Sequence, residues 1–270
     1  MTAARVIVTR PERDAARWVQ SLVQRGLQAE ALPLLRIDAL PDSPAVQQAW
    51  REITSYAALM FVSGNAVEAF FASNQPPALT GRAQAAIDFV AGEGPRWMAP
   101  GPGTVAALRA AGVPAARIDA PAADAGQFDS EALWALVAGR AWQGRRVLIV
   151  RGQSAGGDAP PGANGRDWLA RQLAAAGAQV RFVPVYQRSA PLFTAQQRLR
   201  IKQAAADGSV WLFSSSEAVG HLPPQDWSQA RAVATHPRIA EAVRAAGWAV
   251  VAESRPALED IVASIESLQP

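Results

Sequence analysis

A chain of 270 residues, half of them hydrophobic, has the apolar mass for two modest domains or one large one. It has no cysteine, which excludes a disulfide framework, a thiol nucleophile and thiolate metal sites, and suits a reducing compartment. The net charge is only +3, Lys202 is the sole lysine and the arginines are scattered without a basic helix, so nucleic acid is an unfavoured partner.

In chain order, Val6-Ile7-Val8 reads as a short buried parallel strand. It meets Thr9-Arg10-Pro11 at once, too short for a secretory leader. No apolar run approaches the ~20 residues of a membrane span, so no membrane contact and a cytoplasmic location are expected. After Pro11, Ala15, Trp18, Val19, Leu22 and Val23 fall on one helical face, closed by Gly26 in the left-handed conformation. Extended chain follows from Leu32 to Ile37. Next come a strand Ala57 to Val62, the turn Ser63-Gly64-Asn65 and a helix from Ala66. Arg96 to Ala99 is a strand, followed by Gly101-Pro102-Gly103 and a helix Thr104 to Ala111 that Gly112 stops. A strand near Ile118 and a helix Ser130 to Val137 complete the first half.

The second half repeats the first. Val147 to Val150 is a strand, Gln153 to Gly165 a surface loop, Asp167 to Ala176 a helix ended by Gly177, and Val180 to Arg188 an exit strand. Val210 to Phe213 leads to Ser214-Ser215-Ser216. Ala232 to Ala234 leads to Thr235-His236-Pro237, and Ala249 to Val251 to a last helix, Ala257 to Ile265. The order is A, B, A′, B′, and strands alternating with helices imply parallel sheets with helices on both faces. Pro33 and Pro184 occupy equivalent places and mark edge or connecting strands. The elements fit either A with B and A′ with B′, or the crossed pairing A with B′ and B with A′.

Ligands of open parallel sheets bind beyond the carboxyl ends of strands, where helices begin. The turns there contain Thr9 and Arg10; Ser63, Gly64 and Asn65; Gly101, Gly103 and Thr104; Arg151 and Gly152; Ser214, Ser215 and Ser216; His236 and Arg238. Any one turn is explained by helix capping. Six equivalent turns of this kind favour a shared anionic ligand. Tyr186 has Leu35 as its repeat partner, so it serves a task on one side only. A phenol is protonated at neutral pH and can donate a hydrogen bond or a proton.

Other motifs carry less. Gly152-Gln153-Ser154-Ala155-Gly156 has the spacing of a nucleophile elbow, but the Gly157, Pro160, Pro161 and Gly162 that follow forbid the required helix. His221 reads as a surface residue in a helix. His236 fills the place of Gly101 and is set to face ligand. Neither histidine has metal-site spacing, and no nucleotide motif is present. Trp18, Trp134 and Trp168 fall at helical core spacing and read as packing.

The turns beginning at Val8, Phe61, Gly101, Asp129, Leu148, Pro184, Phe213 and Ala234, taken in order, resemble the uroporphyrinogen-III synthase family over essentially the whole chain. The departures are the long loop after Arg151 and Ser63-Gly64-Asn65, where the family often has a proline. The resemblance implies two similar parallel-sheet α/β domains joined by a two-stranded antiparallel linker, with the ligand cleft between them. The domains would be 1–35 plus 190–270 and 41–183, with linker strands at about 33–40 and 183–190. It implies cyclisation of hydroxymethylbilane to uroporphyrinogen III with inversion of ring D and loss of water, and no metal or organic cofactor; the sequence itself offers no clear oligomerisation patch, so a monomer is the default. It leaves room for transient contact with hydroxymethylbilane synthase. Tyr186 would assist departure of the hydroxyl, and Arg10, Arg151 and Arg238 would anchor carboxylates. The alternative from another class is a non-catalytic two-domain binding module for an anionic metabolite.

Overall fold

The apolar runs and amphipathic stretches become strands and helices in a computed structural model that describes residues 5–40, 43–72, 94–122, 125–155 and 165–268. Unit A gives β1 (Val6–Val8), α1 (Glu12–Gln24) and β2 (Ala29–Ala31). After β3 (Arg36–Ala39) and α2 (Pro44–Arg51), unit B gives β4 (Ala58–Phe61), α3 (Gly64–Ala72), β5 (Arg96–Met98), α4 (Pro102–Ala110), β6 (Ile118–Asp119) and α5 (Ser130–Val137). Unit A′ is β7 (Arg146–Ser154), α6 (Gly165–Ala175) and β8 (Gln179–Ser189). After α7 (Ala195–Ala204), unit B′ is β9 (Val210–Phe213), α8 (Ser216–Val219), β10 (Arg231–Ala234), α9 (Pro237–Ala245), β11 (Val250–Glu253) and α10 (Leu258–Ser267).

The strands form two sheets, ordered β11-β10-β9-β1-β2 and β3-β8-β7-β4-β5-β6. Every pairing within β11 to β2, and those joining β8, β7, β4, β5 and β6, is parallel. Sheet partners are therefore A with B′ and B with A′. The chain divides into one unit of 1–37 with 189–270 and a second of 38–188. Among the described residues no helix is long and apolar enough to cross a membrane.

In the first unit, β1 lies between two parallel neighbours, and Val6, Ile7 and Val8 are fully buried, which is why the strand is continuously β-branched. One face of the sheet packs Trp211, Phe213, Trp227 and Trp248, with the Trp227 and Trp248 rings stacked at 4.2 Å. The other face packs Val6, Val8, Leu212 and Val233 against Ala15 and Leu22 of α1 and Ile261 and Ile265 of α10. The second unit has its own aromatic cluster, in which Phe61 stacks on Trp97 at 5.6 Å and Trp50 on Phe70 at 4.5 Å. Phe61 and Phe213 are repeat partners, so both cores are built on the same strand position.

The structure corrects several expectations. Val23 is 53 % exposed, because the buried stripe of α1 narrows to Ala15 and Leu22. Trp18, Trp134 and Trp168 are only half-buried, and the deepest tryptophans, Trp97 and Trp211, lie on strands. Helices α3 and α4 begin earlier than their glycines suggested, so Gly64, Asn65, Gly103 and Thr104 belong to first helical turns. Strand β7 continues through Gln153 and Ser154, which pair with Gln187 and Arg188 of β8 instead of opening a loop. Most of that expected loop, with Gly156, Gly157, Pro160, Pro161 and Gly162, lies outside the described residues. Pro184 sits inside β8, which has β3 and β7 on its two sides. The strand tolerates it at a bulge: Pro184 faces Arg151, but the next β7 residue, Gly152, faces Tyr186, leaving Val185 as the extra residue. His221 follows α8, half-buried, with Nδ1 2.8 Å from the Leu34 carbonyl oxygen.

The short edge strand β6 is held by charge. Asp119, 5 % exposed, accepts from both forks of Arg96 and Arg140 at 2.5 to 3.1 Å. Burial would raise its pKa, but the hydrogen bonds from Arg140 and Arg96 prevail and hold it below the ordinary aspartate value. We predict that Asp119→Asn costs about 1–3 kcal/mol near neutral pH, since it removes the acceptor of two guanidinium forks. A carboxyl whose folded pKa is depressed stabilises fully above its unfolded value, and that contribution is lost as pH falls through the folded one. Urea denaturation of the two proteins should therefore differ at neutral pH and converge in strong acid.

Candidate functional site

Each parallel sheet has one place where the direction of its connections reverses. In the first unit the chain runs outward from β1 to β2 on one side and from β9 through β10 to β11 on the other. In the second it runs from β7 to β8 on one side and from β4 through β5 to β6 on the other. The helices leaving two adjacent strands part at that point and open a crevice at the carboxyl ends.

At the reversal of the first sheet stand Thr9 and Arg10 after β1 and Ser214 to Ser216 after β9, with His236 and Arg238 one strand further. Thr9 is buried, and its hydroxyl donates to the Leu212 carbonyl at 2.8 Å, tying the end of β1 to β9. Ser215 caps α8, accepting from the Ala218 amide at 3.4 Å. Ser214 is half-buried and Ser216 exposed in the first turn of α8. His236 caps α9 through Nδ1, which accepts from the Arg238 amide at 3.1 Å and so leaves the neutral ring's proton on Nε2. The Arg238 side chain is exposed.

Arg10 has an unusual setting. Its Nε is buried and meets no hydrogen-bond acceptor among the described residues. Its guanidinium carbon stands 4.5 Å from the centre of the Trp18 ring, held by the ring's face. Burial pushes its pKa down from the ordinary arginine value to about 10, with the Asp14 carboxylate pulling the other way. It remains a cation at neutral pH. The helix behind it, α1, has Pro11 at its N-cap, which makes no side-chain cap hydrogen bond.

At the reversal of the second sheet stand Ser63, Gly64 and Asn65 after β4 and Arg151 and Gly152 on β7, with Gly101, Gly103 and Thr104 beside them after β5. The Ser63 hydroxyl oxygen accepts from the Ala66 amide at 3.2 Å, the same capping role as its repeat partner Ser215. Gly64 lies close against α4: a β-carbon there would make ordinary contact with the Gly103 carbonyl oxygen at 3.5 Å. Thr104 is buried, and its amide donates to the Gly101 carbonyl at 3.1 Å. Arg151 lies with its guanidinium carbon 4.5 Å from the centre of the Phe182 ring. Its repeat partner is Arg10, so both arginines rest on aromatic faces.

Tyr186 is 3 % exposed, and its phenolic oxygen is 3.2 Å from the Ser63 hydroxyl. The bulge in β8 brings it opposite Gly152. The structure thus gathers Ser63, Gly152 and Tyr186 in the second unit. Ser154, the nominal elbow serine, lies in the strand and accepts from the Arg188 guanidinium at 3.0 Å. The predicted residues fall into two groups, one at each sheet's carboxyl edge. What the sequence reading missed is the aromatic bed of each arginine: Trp18 was taken for plain core, and Phe182 was not singled out. An arginine recurring at one repeat position was the available signal.

Two doubly wound parallel sheets, each with capped and uncapped helix starts at its reversal, define the class of α/β proteins that bind anionic small molecules at strand ends. Within that class, residues 16–263 match the family model described as uroporphyrinogen-III synthase HemD. The chain belongs to the uroporphyrinogen-III synthase family. Its fold is similar to that of a mutant uroporphyrinogen III synthase from Thermus thermophilus, at 17 % identity, 98 % of each chain covered and a TM-score of 0.57. It is equally similar to uroporphyrinogen-III synthetase from Helicobacter pylori, at 15 % identity, 98 % of this chain and 99 % of that one covered, and a TM-score of 0.58. The function is that of the family, an enzyme making uroporphyrinogen III from hydroxymethylbilane in tetrapyrrole and haem biosynthesis, and the reading as a non-catalytic module is set aside.

The partly buried guanidinium of Arg10, whose Nε meets no acceptor among the described residues, has a measurable cost. A base whose folded pKa is lowered destabilises the fold in full below that value, here about pH 10, and the cost fades as pH rises from there toward the unfolded value. We predict that Arg10→Met raises Tm by a few degrees at neutral pH, as replacing a buried charge with an apolar side chain of similar length does. Differential scanning calorimetry near neutrality checks it.

Proposed function

We propose that the chain acts as a cyclising hydro-lyase in which positioning does most of the catalysis. The bilane's terminal hydroxymethyl carbon loses its hydroxyl, which takes a proton and leaves as water. The resulting azafulvene cation is stabilised by its own electron-rich pyrrole. Ring closure at the nearest free carbon of ring D would occur without help and give the isomer lacking inversion. Attack by the substituted carbon of ring D instead forms a spiro intermediate, which rearranges to the inverted ring. The proton released on rearomatisation balances the one used to make water.

Such a reaction asks for anchors and one proton donor. Eight carboxylates offer the anchors' counterparts. Arg10, Arg151 and Arg238 supply guanidinium forks, and the helix starts holding Gly64 and Asn65, Gly101, Gly103 and Thr104, Ser214 to Ser216, and His236 supply amides and hydroxyls. Thr9 and Gly152 complete the set read from the sequence as substrate-binding. Tyr186 is the proposed general acid. The observation that carries this reading is the buried phenol at the reversal of the second sheet, hydrogen-bonded at 3.2 Å to the serine that begins α3. Nothing in the packing of the strands it stands between requires a hydroxyl there, and its repeat partner is the buried Leu35. We further propose that the enzyme works as a monomer in the cytoplasm.

The isolated protein supplied with hydroxymethylbilane should yield mainly isomer III, resolved chromatographically after oxidation of the product. Isomer I alone would falsify the synthase reading. Tyr186→Phe should lower kcat several-fold to about a hundredfold with an unchanged Tm, the usual worth of a proton donor. Full turnover in that variant removes the acid from Tyr186. Arg10→Met should lower kcat/KM by about 10- to 100-fold, the worth of about 1.5–3 kcal/mol of charge-assisted hydrogen bonding.

A further inference from the structure

We propose that Gly152 is a positioning residue for the Tyr186 phenol rather than one more substrate-binding amide; the proposal rests on the reading of Tyr186 as the acid. The bulge that leaves Val185 without a partner on β7 sets Tyr186 directly across from Gly152. The Tyr186 ring then lies on the bare backbone of β7. A β-carbon on Gly152 would stand 2.7 Å from Cδ2 and closer still to Cε2 and Cζ, well inside contact distance. Gly152 is not in the left-handed region, so its lack of a side chain answers to this ring and not to backbone strain.

The ring has little freedom to yield. It is 3 % exposed, and its oxygen is bound to Ser63 at 3.2 Å. Ser63 is itself fixed, because its oxygen accepts from the Ala66 amide. Either hydroxyl can donate in the Ser63–Tyr186 bond; in the proposed arrangement Ser63 accepts from Ala66 and donates to the tyrosyl oxygen. The phenol proton is then free for the departing hydroxyl, and the phenolate left behind keeps a hydrogen bond. Gly152 seats the ring and Ser63 orients its oxygen.

The repeat gives independent support. Ser63 corresponds to Ser215, which caps its helix in the same way. Gly152 corresponds to Pro11 and Tyr186 to Leu35. The serine is common to both units, whereas glycine and tyrosine depart together in one of them. A glycine serving only to expose an amide would have no reason to change in step with its neighbour across the ladder.

The experiment is a double-mutant cycle on the full chain. Gly152→Ala should reduce kcat to the level of Tyr186→Phe, with KM changed less than about twofold, and Gly152→Ala/Tyr186→Phe should be no slower than either. The limb of the kcat–pH profile that Tyr186→Phe abolishes should vanish in Gly152→Ala as well. A wild-type kcat in Gly152→Ala, or losses that multiply in the double variant, would overturn the proposal. Thermal unfolding keeps it testable if Gly152→Ala folds poorly. The substitution should lower Tm in the parent but not in a Tyr186→Ala background, where the ring is gone, and an equal drop in both backgrounds overturns it. Full turnover in Tyr186→Phe would mean instead that the acid reading has failed, while the thermal cycle still reports on the glycine–ring contact.

Discussion

A parallel sheet cannot turn back on itself by hairpins. Each strand must be joined to the next by a helix crossing over a face, and those crossovers share one hand. To cover both faces, the connections must reverse direction once within the sheet, and the reversal leaves two neighbouring strand ends whose helices diverge. Both sheets obey this constraint, between β1 and β9 in one and between β4 and β7 in the other. The chemistry-bearing residues collect at those ends because they are where the fold leaves backbone amides and small side chains uncovered. The aromatic cores and the Asp119 clamp serve to hold those ends in place.

The two units share an ancestry of pattern but not of task. Arginine on an aromatic face recurs in both, as Arg10 on Trp18 and Arg151 on Phe182. A guanidinium seated on a ring presents its planar edge, the geometry that suits a planar carboxylate. For Arg10 the seat is also dry, and burial works against its charge. A site that keeps a charge desolvated before ligand arrives gives up stability in exchange for readiness, a common trade at binding sites. The tyrosine belongs to one unit alone, so the repeated arginines and the single phenol separate the proposed anchoring role from the proposed acid role.

The strands and helices were readable because their apolar spacing is periodic and their ends are marked by Gly26, Gly112 and Gly177, all at positive φ. Helix starts were misplaced by one or two residues where glycine or proline stood in the first turn, as at Gly64 and Pro102, since both residues read as turn in isolation. The continuation of β7 through Ser154 was hidden because Gly152, Ala155 and Gly156 read as loop in the sequence, and only the partner strand β8 draws Gly152, Gln153 and Ser154 into a ladder. The bulge was invisible for the same reason: it is a relation between two strands 30-odd residues apart in sequence order, not a property of either. Tyr186 stood out by departing from the repeat. Its contact with Ser63 did not, because the side chains are 123 positions apart and meet only through sheet order. The choice between straight and crossed pairing likewise could not come from the elements, which are the same in both.

The chain leaves its first unit after residue 37 and returns to it at residue 189. During synthesis, the contiguous stretch between those points is complete while the opening strand still lacks its neighbour. Val6, Ile7 and Val8, with no exposure in the finished protein, depend on β9 for one whole edge of their hydrogen bonding. Strand β1 finds β2 in nearby sequence, but the strand that completes its other edge lies about 200 residues further on, so the first unit cannot close before the residues of the second have been made.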